Sequence, residues 1–158
     1  MMDRIPITTE GYAKLKKELE KLKTVDRKEI VAAIEEARSH GDLSENAEYD
    51  AAKERQGMIE ARIGELEGKM GRFQVIDTTT LSGDKIVFGA TVTIENLETE
   101  EHKTYKIVGP DEANISNGTI SIMSPLARAL VNKKVGDEVL VIAPGGEIEY
   151  EVLEVKFQ

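Results

Sequence analysis

The sequence predicts an α+β protein of two domains, an antiparallel helical hairpin followed by an antiparallel sheet with one short helix. Three observations carry this. Tyr49, Ala52, Gln56, Ile59, Ile63, Leu66, Met70 and Phe73 step by 3 and 4, the heptad seam of a helix that packs lengthwise on another. Leu15, Leu19 and Leu22, then Ile30, Ile34 and Ala37, form a matching stripe upstream. The connection between the two stripes is so short that the helices must run antiparallel. After Phe73 the period changes to 2, with β-branched residues and turn signals, which is the pattern of strands. The hairpin domain is expected over residues 1–77, with its turn near 41–46, and the sheet domain over 78–158.

In chain order, Ile5-Pro6-Ile7-Thr8-Thr9-Glu10-Gly11 reads as an extended lead-in, with Thr8 or Thr9 as the helix N-cap. The first helix runs to about Ser39. Its seam slips at Thr24-Val25-Asp26-Arg27, where Leu22 to Ile30 is a step of eight and Asp26 occupies an apolar slot. A kink or short break is expected there. Residues 12–39 span roughly 40 Å at ~1.5 Å per residue, and the return helix, Asn46 to about Phe73, is nearly as long. Much of the hairpin must therefore project. Near the turn, Ala33, Ala37, Ala47, Ala51 and Ala52 are expected to make the seam small and the hairpin tapered.

Val75-Ile76-Asp77 leads into a linker, Thr78 to Asp84. Strands are expected at Ile86–Phe88, Ala90–Glu95, Lys103–Val108, Ile120–Ile122, Glu138–Ile142 and Glu147–Val155. Gly145-Gly146 turns between the last two. Ser124 as N-cap and Pro125 at the first helical position open one short helix through Leu130.

Composition narrows the function. The chain has 158 residues, 32% charged and 40% hydrophobic, as a soluble globular protein does. A net charge of −9 excludes binding DNA through a broad basic surface, which needs many Lys and Arg to release counterions. Any nucleic-acid contact must be local. Residues 1–77 carry 14 Lys+Arg against 17 Asp+Glu, a net of −3, whereas residues 78–158 carry 7 against 13, a net of −6. No apolar run is long enough to span a membrane, and the N-terminus lacks the basic and apolar regions of a signal peptide, so a cytoplasmic protein is expected. The absence of cysteine excludes disulfides and thiolate metal sites, and two histidines, His40 and His102, argue against a His-rich zinc site.

Chemistry is concentrated in the turn, Gly41-Asp42-Leu43-Ser44-Glu45-Asn46-Ala47-Glu48-Tyr49. Asp42 and Glu45, three apart, admit two readings. They form a capping box for the returning helix, with Gly41 as the left-handed stop of the first one. Alternatively, their hard oxygens help hold Mg²⁺, an ion bound by one or two carboxylates plus phosphates and water. Such a site is weak alone. It becomes effective where a phosphodiester and a first metal are already present, because two metals about 4 Å apart assist in-line displacement. Glu48 and Asp50 add negative potential or are solvated surface. Arg38 and Lys53 lie just behind the turn, able to touch an RNA backbone or to pair with Glu35 or Asp50.

The turn resembles the tip of the bacterial Gre transcript-cleavage factors, the GreA/GreB family, and most closely its GreA branch. The resemblance extends over the whole chain, through Ile30–Arg38, Val87–Val92, Tyr105–Gly109, Ser121–Leu130 and Pro144–Glu147. It implies a coiled coil that enters the secondary channel of RNA polymerase and an FKBP-like C-terminal domain that grips the channel rim. It further implies that Asp42 and Glu45 stabilise the second Mg²⁺ and the attacking water in the polymerase active site, so that backtracked RNA is cut at its 3′ end and elongation resumes. Ser44 and Asn46 would orient the tip. Met123, Ser124 and Pro125 match the segment that contacts the rim. The implied protein is a monomer and a cofactor with no enzymatic activity of its own, and it binds no membrane and no specific DNA sequence. Lys53, where the family often has Arg, and Leu43, where the GreB branch tends to have Arg, both point to short backtracked ends as the substrate.

Three other readings compete. A homologue that plugs the channel without stimulating cleavage would carry an altered tip, and Asp42-Leu43-Ser44-Glu45 is intact. A prolyl isomerase needs an aromatic-lined pocket, and residues 78–158 hold only Phe88, Tyr105, Tyr150 and Phe157. A plain coiled-coil adaptor has no use for the acids.

Overall fold

The structure is a computed structural model that describes residues 3–41 and 46–157. It forms two compact units: Tyr12–Phe73, and Asp3–Gly11 together with the residues described from Gln74 onward. Among the described residues no helix is long and apolar enough to cross a membrane.

The first arm of the hairpin comprises α1 (Thr9–Lys21), a wider π turn at Leu22–Asp26, and α2 (Arg27–Arg38). The π turn lies where the apolar spacing lengthens. Two heptad steps cover seven residues, Leu22 to Ile30 is eight, and a π turn accommodates the extra residue without breaking the helix. The expected kink is thus a bulge. Within it the Thr24 hydroxyl donates to the Glu20 carbonyl at 2.7 Å. Asp26, in its apolar slot, is mostly covered and lies 3.6 Å from Lys21 Nζ.

The second arm is α3 (Ala47–Met70), ended by Gly71. Ile30 and Ile34 of α2 pack with Ala52, Ile59 and Ile63 of α3, and Leu19, Leu22 and Tyr49 extend the cluster. Every position of the α3 seam is buried or half-buried. Charges flank it in complementary pairs: Arg27 donates two hydrogen bonds to Glu60, both at 2.9 Å, Arg62 two to Glu18, at 2.6 and 3.1 Å, and Lys23 reaches Glu67 at 3.1 Å. The taper is narrower in extent than the sequence suggests. Only Ala37 and Ala52 are buried, while Ala33, Ala47 and Ala51 sit off the seam and are exposed. A different feature thins the rod: Gly57, Ala61, Gly64 and Gly68 repeat at intervals of 4, 3 and 4 and are all exposed.

In the second unit, β1 (Ile5–Thr8) pairs with β2 (Phe73–Ile76). Thr8 is the N-cap of α1: its hydroxyl oxygen accepts from Gly11 N–H at 3.0 Å. The cap is held in turn by Glu112, whose carboxylate accepts from the Thr8 hydroxyl, from Thr8 N–H at 2.7 Å and from Gly109 N–H at 3.2 Å. Gly11 and Gly109 permit this approach, because a Cβ on either would collide with the Glu112 carboxylate or the Pro6 carbonyl.

The main sheet contains β3 (Ala90–Asn96), β4 (His102–Val108), β5 (Thr119–Ser121), β6 (Glu138–Ala143) and β7 (Gly146–Phe157), in the order β5-β4-β3-β7-β6. All pairs are antiparallel except β4–β5, so the sheet is mixed at one edge. The chain reaches that edge through a tight turn closed by Gly118 in the left-handed region, φ 77°. A register shift between Thr93 and Ile94 bulges β3 against β7. The short helix α4 (Pro125–Leu130) packs Ala127 and Leu130 on Val92, Ile94, Ile107, Val139, Val141 and Val152. Ile86–Phe88 is not a strand. Ile86 bonds the backbone of Lys133 and Asn132, at 2.9 and 2.7 Å. The chain then turns through Gly89, φ 89°.

Two expectations follow. Gly64 is helical, exposed and has no neighbour within 4 Å of an added Cβ, so Gly64→Ala raises hairpin stability by about 0.5–1 kcal/mol in denaturant unfolding. Hydrogen bonding from Arg62 holds Glu18 below the usual carboxylate range, and Arg27 does the same for Glu60. A depressed folded pKa contributes stability above the unfolded value, about 4.3, and loses it as pH falls through the folded value. The wild type should therefore be more stable than the double variant Glu18→Gln, Glu60→Gln at neutral pH, by a small margin because the pairs are exposed. Thermal melts should converge in acid below that range.

Candidate functional site at the hairpin tip

The tip is built from the C-terminus of α2 and the N-terminus of α3. Past Arg38 the helix is closed by successive tight bonds: His40 N–H donates to the Ala37 carbonyl at 3.2 Å and Gly41 N–H to the Arg38 carbonyl at 3.3 Å. Gly41 then takes φ 100°, a region that disfavours a side chain. On the far side Asn46 is extended, φ −90°, ψ 94°, and its side-chain oxygen accepts from Tyr49 N–H at 3.0 Å. This is the N-cap of α3, and asparagine is among the residues best suited to it. Glu48 and Asp50 occupy the first turn, where the helix dipole favours acids.

Three contacts join the arms across the turn. The Asn46 side-chain amide also donates to the Ala37 carbonyl at 2.6 Å, so one residue caps α3 and ties it to α2. His40 Nδ1 lies 3.2 Å from Glu48 Oε2. The Arg38 guanidinium carbon sits 6.0 Å from the centre of the Tyr49 ring, within cation–π range. Together they fix the points at which the chain leaves one helix and enters the next.

Asp42, Ser44 and Glu45, the candidate acids and one of the two supporting residues, lie outside the described residues, as does Leu43. The cap of α3 is Asn46, with Tyr49 as the residue whose N–H it satisfies. The signal was present in the sequence, a strong N-cap residue directly before a turn carrying two acids. Nothing in the spacing of His40 and Glu48 alone marks their pairing.

Arg38 and Lys53 are both exposed on the rod behind the tip. Among the described residues Arg38 contacts Tyr49 and Lys53 donates to Gln56 Oε1 at 3.2 Å, in place of the acids Glu35 and Asp50. Met123, Ser124 and Pro125 belong to the other unit. Met123 is 57% exposed. Its N–H donates to Ser121 Oγ at 3.0 Å. Ser124 caps α4 by accepting from Ala127 N–H at 3.2 Å, with Pro125 at the first helical position. The residues that would line a prolyl-isomerase pocket are spent elsewhere: Phe88 is buried, and Tyr105, Tyr150 and Phe157 pack against the core.

Residues 5–75 match the family described as transcription elongation factor, N-terminal, and residues 81–157 match transcription elongation factor, GreA/GreB, C-terminal. The chain is 58% identical over 157 residues to the transcription elongation factor GreA of Hyphomonas neptunium, covering 99% of this chain and 100% of that one. It is 57% identical to the protein of the same name from Nitratidesulfovibrio vulgaris, covering 99% and 98%. A crystal structure of GreA factor homolog 1 from Thermus thermophilus is 29% identical, covers 97% of this chain and 99% of that one, and aligns with a TM-score of 0.44. With two family matches that between them run from residue 5 to residue 157, and such identity along nearly the whole length, the chain belongs to the GreA/GreB family of transcription elongation factors.

Proposed function

We propose that this elongation factor acts in the cytoplasm as a single copy on RNA polymerase, placing its hairpin in the secondary channel and stimulating 3′ cleavage of backtracked RNA. The reading rests on how the tip is built. Asn46 supplies the α3 cap and the bond to Ala37, so the acids are not needed for that cap. Two carboxylates in a segment anchored at both ends are a fitting donor set for Mg²⁺, which takes hard oxygen ligands and completes its shell with water and phosphate. Mg²⁺ bound there would supply charge stabilisation at the phosphorus and a more acidic water.

The chain's own residues have separate tasks in this scheme. Asp42 and Glu45 provide the oxygens, and Ser44 and Asn46 set their direction. Arg38 and Lys53 face the RNA backbone from the arms. Lys53 offers a point charge and no planar fork, which fits short extruded ends better than long ones. The seam holds the two arms together, and the exposed glycine face keeps the rod slim enough for a confined passage. Met123, Ser124 and Pro125 present an exposed thioether and a rigid helix start to the channel rim. The protein lends ligands to another active site and cuts nothing alone.

The test is a stalled polymerase complex with backtracked RNA, given Mg²⁺ and the protein. Wild type shortens the transcript from its 3′ end, and Asp42→Ala and Glu45→Ala each lower the rate more than about a hundredfold while still competing for polymerase. Asn46→Ala lowers it by about tenfold at unchanged binding, and Asn46→Asp, which keeps the cap but loses the donor to Ala37, falls between. Full activity in both acid variants contradicts the assignment. Cutting of naked RNA contradicts the cofactor role.

A further inference from the structure

We infer that the free edge of the main sheet is a docking site for an extended, basic protein segment that adds beside β6. The strand alternates, with Val139 and Val141 buried in the core and Leu140 and Ile142 pointing out, 46% and 69% exposed. It is the last strand in the order β5-β4-β3-β7-β6. Among the described residues no backbone hydrogen bond ties it to anything but β7. An open cleft of about 390 Å³ lies between its first half and the end of α4, lined by Glu138, Val139 and Leu140 on the strand and by Arg128, Val131 and Lys133 beside it. Sheets ordinarily protect such an edge with lysine, proline or a bulge within the strand. Val139-Leu140-Val141-Ile142-Ala143 has none of these.

Charge identifies the occupant. On the outer face Leu140 lies opposite Glu149, Ile142 opposite Glu147, and Glu138 opposite Glu151, which itself faces Glu95 on the next strand. Glu98 and Leu97 complete the rim, in a cleft shared with Leu140, Glu147 and Glu149. Like charges directly opposite one another destabilise a sheet, and this face places carboxylates on three adjacent strands. On this face a second copy of the chain would bring the same acids together, and a nucleic acid or an anionic lipid surface would be repelled; the cations of the cleft, Arg128 and Lys133, line the α4 side and not this one. An added strand with Lys or Arg at alternate positions meets both features. The aliphatic stems cover Leu140 and Ile142, and the cationic ends reach the carboxylates of β7 beyond them. Main-chain bonds to the edge supply the affinity and the alternation supplies the choice of partner.

The probe is the synthetic peptide Lys-Val-Lys-Val-Lys-Val, titrated into the full-length, isotopically labelled chain at low salt and followed by amide shifts. Saturable shifts should concentrate on residues 138–143 and weaken as salt is raised. The double variant Leu140→Gln, Ile142→Gln should keep its spectrum elsewhere, since both side chains are exposed, and bind at least about tenfold more weakly. The peptide with Glu in place of Lys should not bind. No saturable binding, shifts centred elsewhere, equal binding by the double variant or by the acidic peptide, or self-association of the chain through β6 would each overturn the proposal.

Discussion

The contact on which the rest depends is the packing of α2 against α3. Ile30 and Ile34 meet Ala52, Ile59 and Ile63 along one narrow seam, Ala37 and Leu66 are buried as well, and most other side chains of these helices are in water. Isolated helices draw little stability from propensity alone, because nucleation is costly and propagation returns little. What keeps each arm helical is the apolar stripe of the other. The flanking pairs, Arg27 with Glu60 and Arg62 with Glu18, add register more than energy.

A rod of this kind is useful only if its end is ordered where the helices stop and the seam runs out. Antiparallel helices leave unsatisfied carbonyls on one arm and unsatisfied N–H groups on the other at the same place. Asn46 answers both with a single side chain, accepting from Tyr49 N–H and donating to the Ala37 carbonyl. Ala37, at 2% exposure, is the last buried residue of α2. The tie is therefore made where packing ends and the polar turn begins. At the base of the same arm, Glu112 performs a comparable task by holding the Thr8 cap of α1. The hairpin's first arm thus starts from one side-chain cap and its second arm from another, the first supported by a hydrogen bond from far along the chain and the second by one across the turn.

Much of this was legible in the residues. The 3-and-4 spacing from Tyr49 to Phe73 located the seam, and the eight-residue step at Leu22 to Ile30 located the π turn, because helical period is a local property. Ser124-Pro125 located α4 for the same reason. The failures are equally physical. Ile86–Phe88 has strand composition, yet Gly89 turns the chain and Ile86 finds its partners in Lys133 and Asn132, far along the sequence. The parallel placement of β5 depends on which edge the chain reaches, a matter of topology that alternation cannot encode. Ala33, Ala47 and Ala51 lie off the seam, and the sequence cannot exclude them from it because alanine fits any helical position and so marks no face. At the tip, Asn46 could be read as a cap from its type, while its bond to Ala37 depends on the second helix lying alongside.

Reach is the most exposed part of this account, since a pair of acids on a rod is useful only at the right distance. Deleting residues 27–33 and 54–60 removes one heptad from each arm in register, takes Arg27 and Glu60 out together, and shortens the rod by roughly 10 Å. The tip, Arg38, Lys53 and the second unit are left as they were. Transcript shortening by backtracked polymerase complexes, measured beside competition with wild type for polymerase, is the decisive reading. The account predicts a helical, polymerase-binding protein that no longer shortens the transcript. Cleavage at the wild-type rate by the shortened rod would contradict it.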